Sequence, residues 1–222
     1  MPYHEEAHAP LLHRLATSRE AGRTVPLLVH GGERFVDSGE ILRHANAWGG
    51  GDALYPAEPD LRRDIDALEQ RFAEELGPHT RRWAYASLLD DSKLIREVWS
   101  RGVPPLQARL VPWIVPIARR VVRAGYRITP DSARRSLDRI RLVFREVDER
   151  LRDGRRFLVG DRFSAADLTF AALAAPMLFP IGCGAVLPAL EQVGEPVRQE
   201  VSRSRETAAG AFALRLYREE RR

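Results

Sequence analysis

The spacing of apolar positions divides the chain into two unlike parts. In the first, Thr24 to Val29 (TVPLLV) is a short apolar run with β-branched residues, and Arg34-Phe35-Val36 is another. His30-Gly31-Gly32-Glu33 stands between them, so the pattern predicts two short strands around a glycine turn. Asp37-Ser38-Gly39-Glu40 then opens a helical spacing at Ile41, Leu42, Ala45 and Trp48. The order is strand, turn, strand, helix. GGGDALYPAEP follows and reads as a linker.

From residue 59 onward the period is helical throughout. Leu61, Ile65, Leu68, Phe72 and Leu76 form one stripe, which Gly77-Pro78 is expected to stop. A second helix is predicted from Trp83 to Trp99, ending at Gly102. The next segment, to Gly125, is interrupted by prolines and predicts a kinked or broken helix. Leu137, Ile140, Phe144, Val147 and Leu151 form a stripe ending at Gly154. Ser164 to Ala175 is apolar nearly all round, which predicts a central, buried helix. One or two more helices are predicted after Pro188.

Composition narrows the classes. The 222 residues suffice for one large domain or two modest ones. The formal net charge is +4, and Lys93 stands as the one lysine among many arginines. Those arginines alternate with acids, as in RRDIDALEQR and REVDERLRD, which reads as solvated helix faces with ion pairs. A nucleic-acid stripe needs clustered base without interspersed acid, so no nucleic-acid partner is expected. The single cysteine, Cys183, permits no disulfide framework and suits a reducing, cytoplasmic compartment. The most apolar stretch, VPPLQARLVPWIVPIARRVV, is broken by prolines and arginines, so no membrane partner is expected either.

One motif invites a metal. His4-Glu5-Glu6-Ala7-His8 matches H-E-x-x-H, in which two histidines one helical turn apart hold zinc and the glutamate is a general base. Pro2 and Pro10 flank it, and no apolar helical stripe runs through it. We therefore expect no metal.

A second motif is architectural. In FLVGDRFSAADLTFAALAAP, Ser164 and Asp167 form a capping box. The serine hydroxyl is expected to accept from the backbone three residues on, and Asp167 to reach back to the Ser164 N–H. Phe163 and Leu168 take the positions of a hydrophobic staple.

This stretch closely resembles the C-terminal domain of the glutathione transferases, in which G-D-x-F-S-x-A-D opens the central helix. RTVPLLVHGGERFVDSGEILRHA resembles the glutathione-binding half of that family's thioredoxin-like domain. The resemblance implies a partial α/β thioredoxin-like domain over residues 1–48, a linker over 49–58 and an all-helical domain over 59–222. It implies a transferase that joins the thiol of glutathione, its co-substrate, to a small electrophile, as in detoxification. A homodimer is one open expectation. A non-catalytic binding or interaction module of the same fold is the alternative.

The implied site can be named residue by residue. Val25-Pro26 carries a cis peptide in the family, and the residue at the Val25 position, with Thr24 and Pro26 beside it, pairs with the cysteinyl backbone of glutathione. Ser38 offers a helix-start hydroxyl and N–H to the γ-glutamyl carboxylate, and Asp37 meets the ammonium. Trp83, Tyr85 and Trp113 are candidates for the wall of the electrophile pocket, with a place in the core the first expectation for each. The family places a strand and a helix, on the order of 25 residues, before the segment where Tyr3 to Ala7 is expected as a strand. The thiol-activating Tyr, Ser or Cys lies there in the family, so no catalytic residue is assigned.

Overall fold

The computed structural model describes residues 4–17, 25–184 and 186–221. Its elements are α1 (His13–Ala16), β1 (Leu28–His30), β2 (Glu33–Phe35), α2 (Ser38–Trp48), α3 (Pro59–Glu75), α4 (Gly77–Leu88) and α5 (Ser92–Ser100), then α6 (Pro105–Gly125), α7 (Pro130–Arg150), α8 (Ala165–Leu178), α9 (Glu195–Glu206) and α10 (Ala208–Glu219). The architecture is a small hairpin-and-helix unit joined to an all-helical domain, which fits a partial thioredoxin-like domain followed by a helical one.

The hairpin closes as its glycines dictate. β1 and β2 are antiparallel, with Leu28 opposite Phe35 and His30 opposite Glu33. Gly31 and Gly32 both have positive φ, 59° and 87°, the backbone that a two-residue turn needs to match strand twist.

Helix α8 is the centre of the helical domain. Alanines at 165, 166, 171, 174 and 175 are buried, so neighbours approach its backbone closely. Helices α3, α4, α9 and α10 pack against it. Phe170 meets Phe72 of α3, Phe144 of α7 and Phe212 of α10 at ring distances of 5.2, 5.7 and 6.1 Å. The capping box forms in a modified way. Asp167 is fully buried and accepts from the Leu158 and Ser164 N–H groups at 2.7 and 2.8 Å. The Ser164 hydroxyl donates to the same carboxylate at 2.7 Å, where the sequence had it accepting from backbone. Burial pushes the Asp167 carboxyl above the usual range, against the pull of these donors.

Three expectations need correction. His4 to Ala9 form no strand. The segment carries few β-branched residues, and it is held instead by Gln107 of α6, whose side-chain oxygen accepts from the Ala9 N–H at 2.9 Å. It is not helical either, so His4 and His8 lack the one-turn spacing that zinc-protease chemistry requires. The first stripe ends as expected, α3 closing at Glu75 just before Gly77-Pro78, and the same pair begins α4, because proline suits a first turn where no N–H partner is lost. The helix expected from Trp83 to Trp99 is two helices, since Asp91 caps α5 by accepting from the Lys93 and Leu94 N–H groups. Finally, α6 runs unbroken through Pro112 and Pro116. Both prolines face solvent, where the carbonyls they leave unpaired meet water.

Candidate functional site

The hairpin register brings the expected binding residues to one end of one small unit. Val25-Pro26 directly precede β1, and Asp37-Ser38 directly follow β2. Because Leu28 faces Phe35, both pairs lie at the open end of the hairpin, away from the Gly31-Gly32 turn. Paired strands are about 4.8 Å apart, so the two dipeptides are near neighbours. The Val25-Pro26 peptide is cis. Val25 is 57% exposed, unusual for a valine, and its backbone lies in no strand. Thr24 lies outside the described residues.

Asp37 is the N-cap of α2. One of its carboxylate oxygens accepts from Gly39 N–H at 2.8 Å and from Glu40 N–H at 3.3 Å. That role is local and structural, and it leaves the other oxygen without a hydrogen-bond partner among the described residues. Ser38 is the first helical residue and is exposed. Neither its hydroxyl nor its N–H has a partner among the described residues, and both stand at the positive end of the helix. The arrangement therefore offers two donors for a carboxylate, an acceptor for an ammonium and, at Val25, an exposed stretch of backbone outside the sheet.

The same helix start is tied to the helical domain by a residue that sequence reasoning missed. Arg43, one turn on, places its guanidinium over Gly39, where a Cβ would meet it at 3.0 Å. Its other side reaches Asp66 and Glu69 of α3 at 3.5 and 3.7 Å. Tyr55 of the linker, 2% exposed, donates to Glu69 at 3.0 Å and lies under the Arg62 and Arg43 guanidinium groups. Burial raises the Glu69 carboxyl above the usual range, opposed by the Tyr55 hydroxyl and Arg43. Burial likewise drives the Tyr55 phenol upward. The available signal was weak: Arg43 lies outside the apolar stripe of α2, and its partners are some 25 residues on.

The three aromatics expected around an electrophile pocket do not share an environment. Trp83 is buried in the core of the helical domain. Tyr85 is half-buried and packs on Tyr126 at 5.2 Å. Trp113 is 80% exposed on the outer face of α6. Trp83 thus takes the core position that was the first expectation for it.

Residues 130–192, which hold α7, the Ser164–Asp167 box and α8, match the family model of the glutathione S-transferase C-terminal domain. That stretch is similar to the C-terminal domain of glutathione S-transferases. Among solved structures it is similar to the beta-etherase LigF from Sphingobium sp. strain SYK-6, at 20% identity and a TM-score of 0.48, over 87% of this chain and 78% of that one. No curated protein matches it. The matched residues thus belong to the part that carries the core, while the expected glutathione contacts all lie on the hairpin unit outside them. No group of three or more metal-binding side chains occurs among the described residues, and no described helix is long and apolar enough to cross a membrane.

Proposed function

We propose that the chain binds glutathione at the open end of its hairpin and transfers the tripeptide thiol to a small electrophile. The observation that supports this is the register that gathers Val25-Pro26 and Asp37-Ser38 at one end of β1 and β2, with the donors of Ser38 unpaired among the described residues. The γ-glutamyl carboxylate takes the Ser38 hydroxyl and N–H, its ammonium takes the free oxygen of Asp37, and the cysteinyl backbone pairs with Val25 as an added strand. In the reaction the thiol loses its proton to solvent, a carbon–sulfur bond forms, and the electrophile's leaving group departs with its electron pair. The thiolate is the reactive form and is a minor species for a free thiol of pKa about 8.5. A cytoplasmic homodimer belongs to the same reading, and the single cysteine supports the compartment.

Calorimetric titration with glutathione, beside a conjugation assay on a generic aromatic electrophile, tests the proposal. Binding and conjugation that both weaken in Ser38→Ala support it. Binding without conjugation supports the non-catalytic module instead. Absence of binding, with Ser38→Ala indistinguishable from the parent, removes the glutathione site.

A further inference from the structure

A groove of about 670 Å³ runs between α4 and α7, on the helical domain, and no residue of the hairpin unit lines it. Its walls are dominated by one chemistry. Arg82 comes from α4, Arg127 from the turn after α6, and Arg135, Arg139 and Arg145 from α7. Asp138 is the one carboxylate in the lining, so the groove holds an excess of four positive charges. That equals the formal net charge of the whole chain.

The neighbouring arginines of α7 show what is unusual here. Arg134 pairs with Asp131, and Arg141 grips Glu200 through two hydrogen bonds of 3.1 and 2.8 Å. In the groove, Arg127, Arg135 and Arg145 have no carboxylate partner among the described residues, and Arg139 is 3.8 Å from Glu75. Arg82 is fixed by donating to the Tyr126 carbonyl at 2.8 Å and to the Ser136 hydroxyl at 3.0 Å, which leaves its second terminal nitrogen free. Thr129 and Ser132 at the groove's edge are engaged with each other as the cap of α7. The free donors are therefore guanidinium groups, not helix amides.

Arg127 adds an independent observation. It occupies the position after the end of α6 where the chain turns left-handed, with φ of 49°. Its N–H donates to Ala124 and the Ile128 N–H to Arg123, at 3.0 and 2.9 Å, the double bond that closes such a helix end. Glycine is the residue that suits this place, since it has no Cβ to crowd the backbone. Arg127 holds this place with its side chain in the lining of the groove.

We propose that this groove is a binding site for a small polyphosphate anion, held by Arg82, Arg127, Arg135, Arg139 and Arg145. Guanidinium groups match phosphate oxygens in pairs, and several unpaired ones in a shared concavity call for a ligand of several charges. The volume lies within the range of small-molecule sites. Leu142 is the one aliphatic side chain in the lining and His79 brings its one aromatic ring, so the lining is built chiefly for charge and not for a greasy tail.

Calorimetry on the full chain with sodium tripolyphosphate as probe tests this, with single-stranded oligonucleotide and phosphatidylserine-containing vesicles as parallel arms. One-to-one binding of tripolyphosphate that falls by at least about tenfold in the double variant Arg135→Gln/Arg145→Gln is expected. Arg127→Gly is expected to weaken binding while its melting temperature holds or rises, a split that a purely structural arginine would not give. Tripolyphosphate that does not bind, or that binds the variants as well as the parent, overturns the proposal. Binding of the oligonucleotide or the vesicles without tripolyphosphate overturns it too, in favour of a macromolecular polyanion.

Discussion

Helix α2 buries none of its eleven residues, whereas α8 buries nine of its fourteen. The two helices start in similar ways, each with an oxygen-bearing cap, but the caps serve different ends. At α8 every donor around Asp167 is satisfied inside the protein and sealed from water. At α2 the cap is exposed, and Ser38 keeps its donors free. The helical domain spends its polar groups on its own stability; the hairpin unit keeps some of them for a ligand. What anchors the exposed unit is not a core of its own but the Asn46 bonds to the linker and the Arg43 contacts with α3.

Substitutions should separate the two regions. Asp167→Ala leaves two backbone N–H groups and a hydroxyl buried without an acceptor, and we expect a loss of about 3 kcal/mol or more in global stability, read by denaturant unfolding. Gly210→Ala comes next. A Cβ there would lie 1.9 Å from the Ser204 carbonyl oxygen, which is backbone and cannot swing away. Forcing α9 and α10 apart should cost about 1–3 kcal/mol, visible as a lower melting temperature.

Asp37→Ala should behave differently. It removes an exposed cap and is expected to cost about 1 kcal/mol, felt in the amide exchange of α2 and not in the helical domain. Equal loss of protection in both regions would break the comparison.

The smallest effect is a pH dependence. The Glu69 carboxyl is raised by burial, so the folded chain holds that proton more tightly than the unfolded chain does. Stability from this group therefore falls as pH rises from the ordinary carboxylate range through the raised value, and stays lower above it. Glu69→Gln should melt higher than the parent at neutral pH, and the gap should close on acidification. A gap that widens in acid would show that the Arg43 contact outweighs burial.

The helical domain was largely legible because its period repeats over long stretches and its capping box is local. Phe72, Ile140, Phe144 and Phe170 fall where the apolar spacing placed them. The α4–α5 break escaped notice because Asp90-Asp91 sits inside an otherwise continuous spacing, and a cap competes with helix over only three residues. The core place expected for Trp113 fails for the opposite reason: it follows a helical stripe of Leu106, Leu110 and Ile117 that the structure leaves in solvent. At the hairpin, turn glycines and strand order were plain, and so was the start of α2. The Arg43–Glu69 cluster and the arginine groove were not. Both join residues far apart in sequence, and the interspersed acids that suggested paired charges turn out to serve only some of the arginines.

The most direct test of the central claim is the backbone amide spectrum of the chain during titration with glutathione. The account predicts that the Val25 and Ser38 amides shift together and saturably, that those around Asp167 stay fixed, and that Ser38→Ala abolishes the response at both hairpin positions. Shifts confined to the helical domain, or a response at Val25 and Ser38 untouched by the substitution, would contradict it.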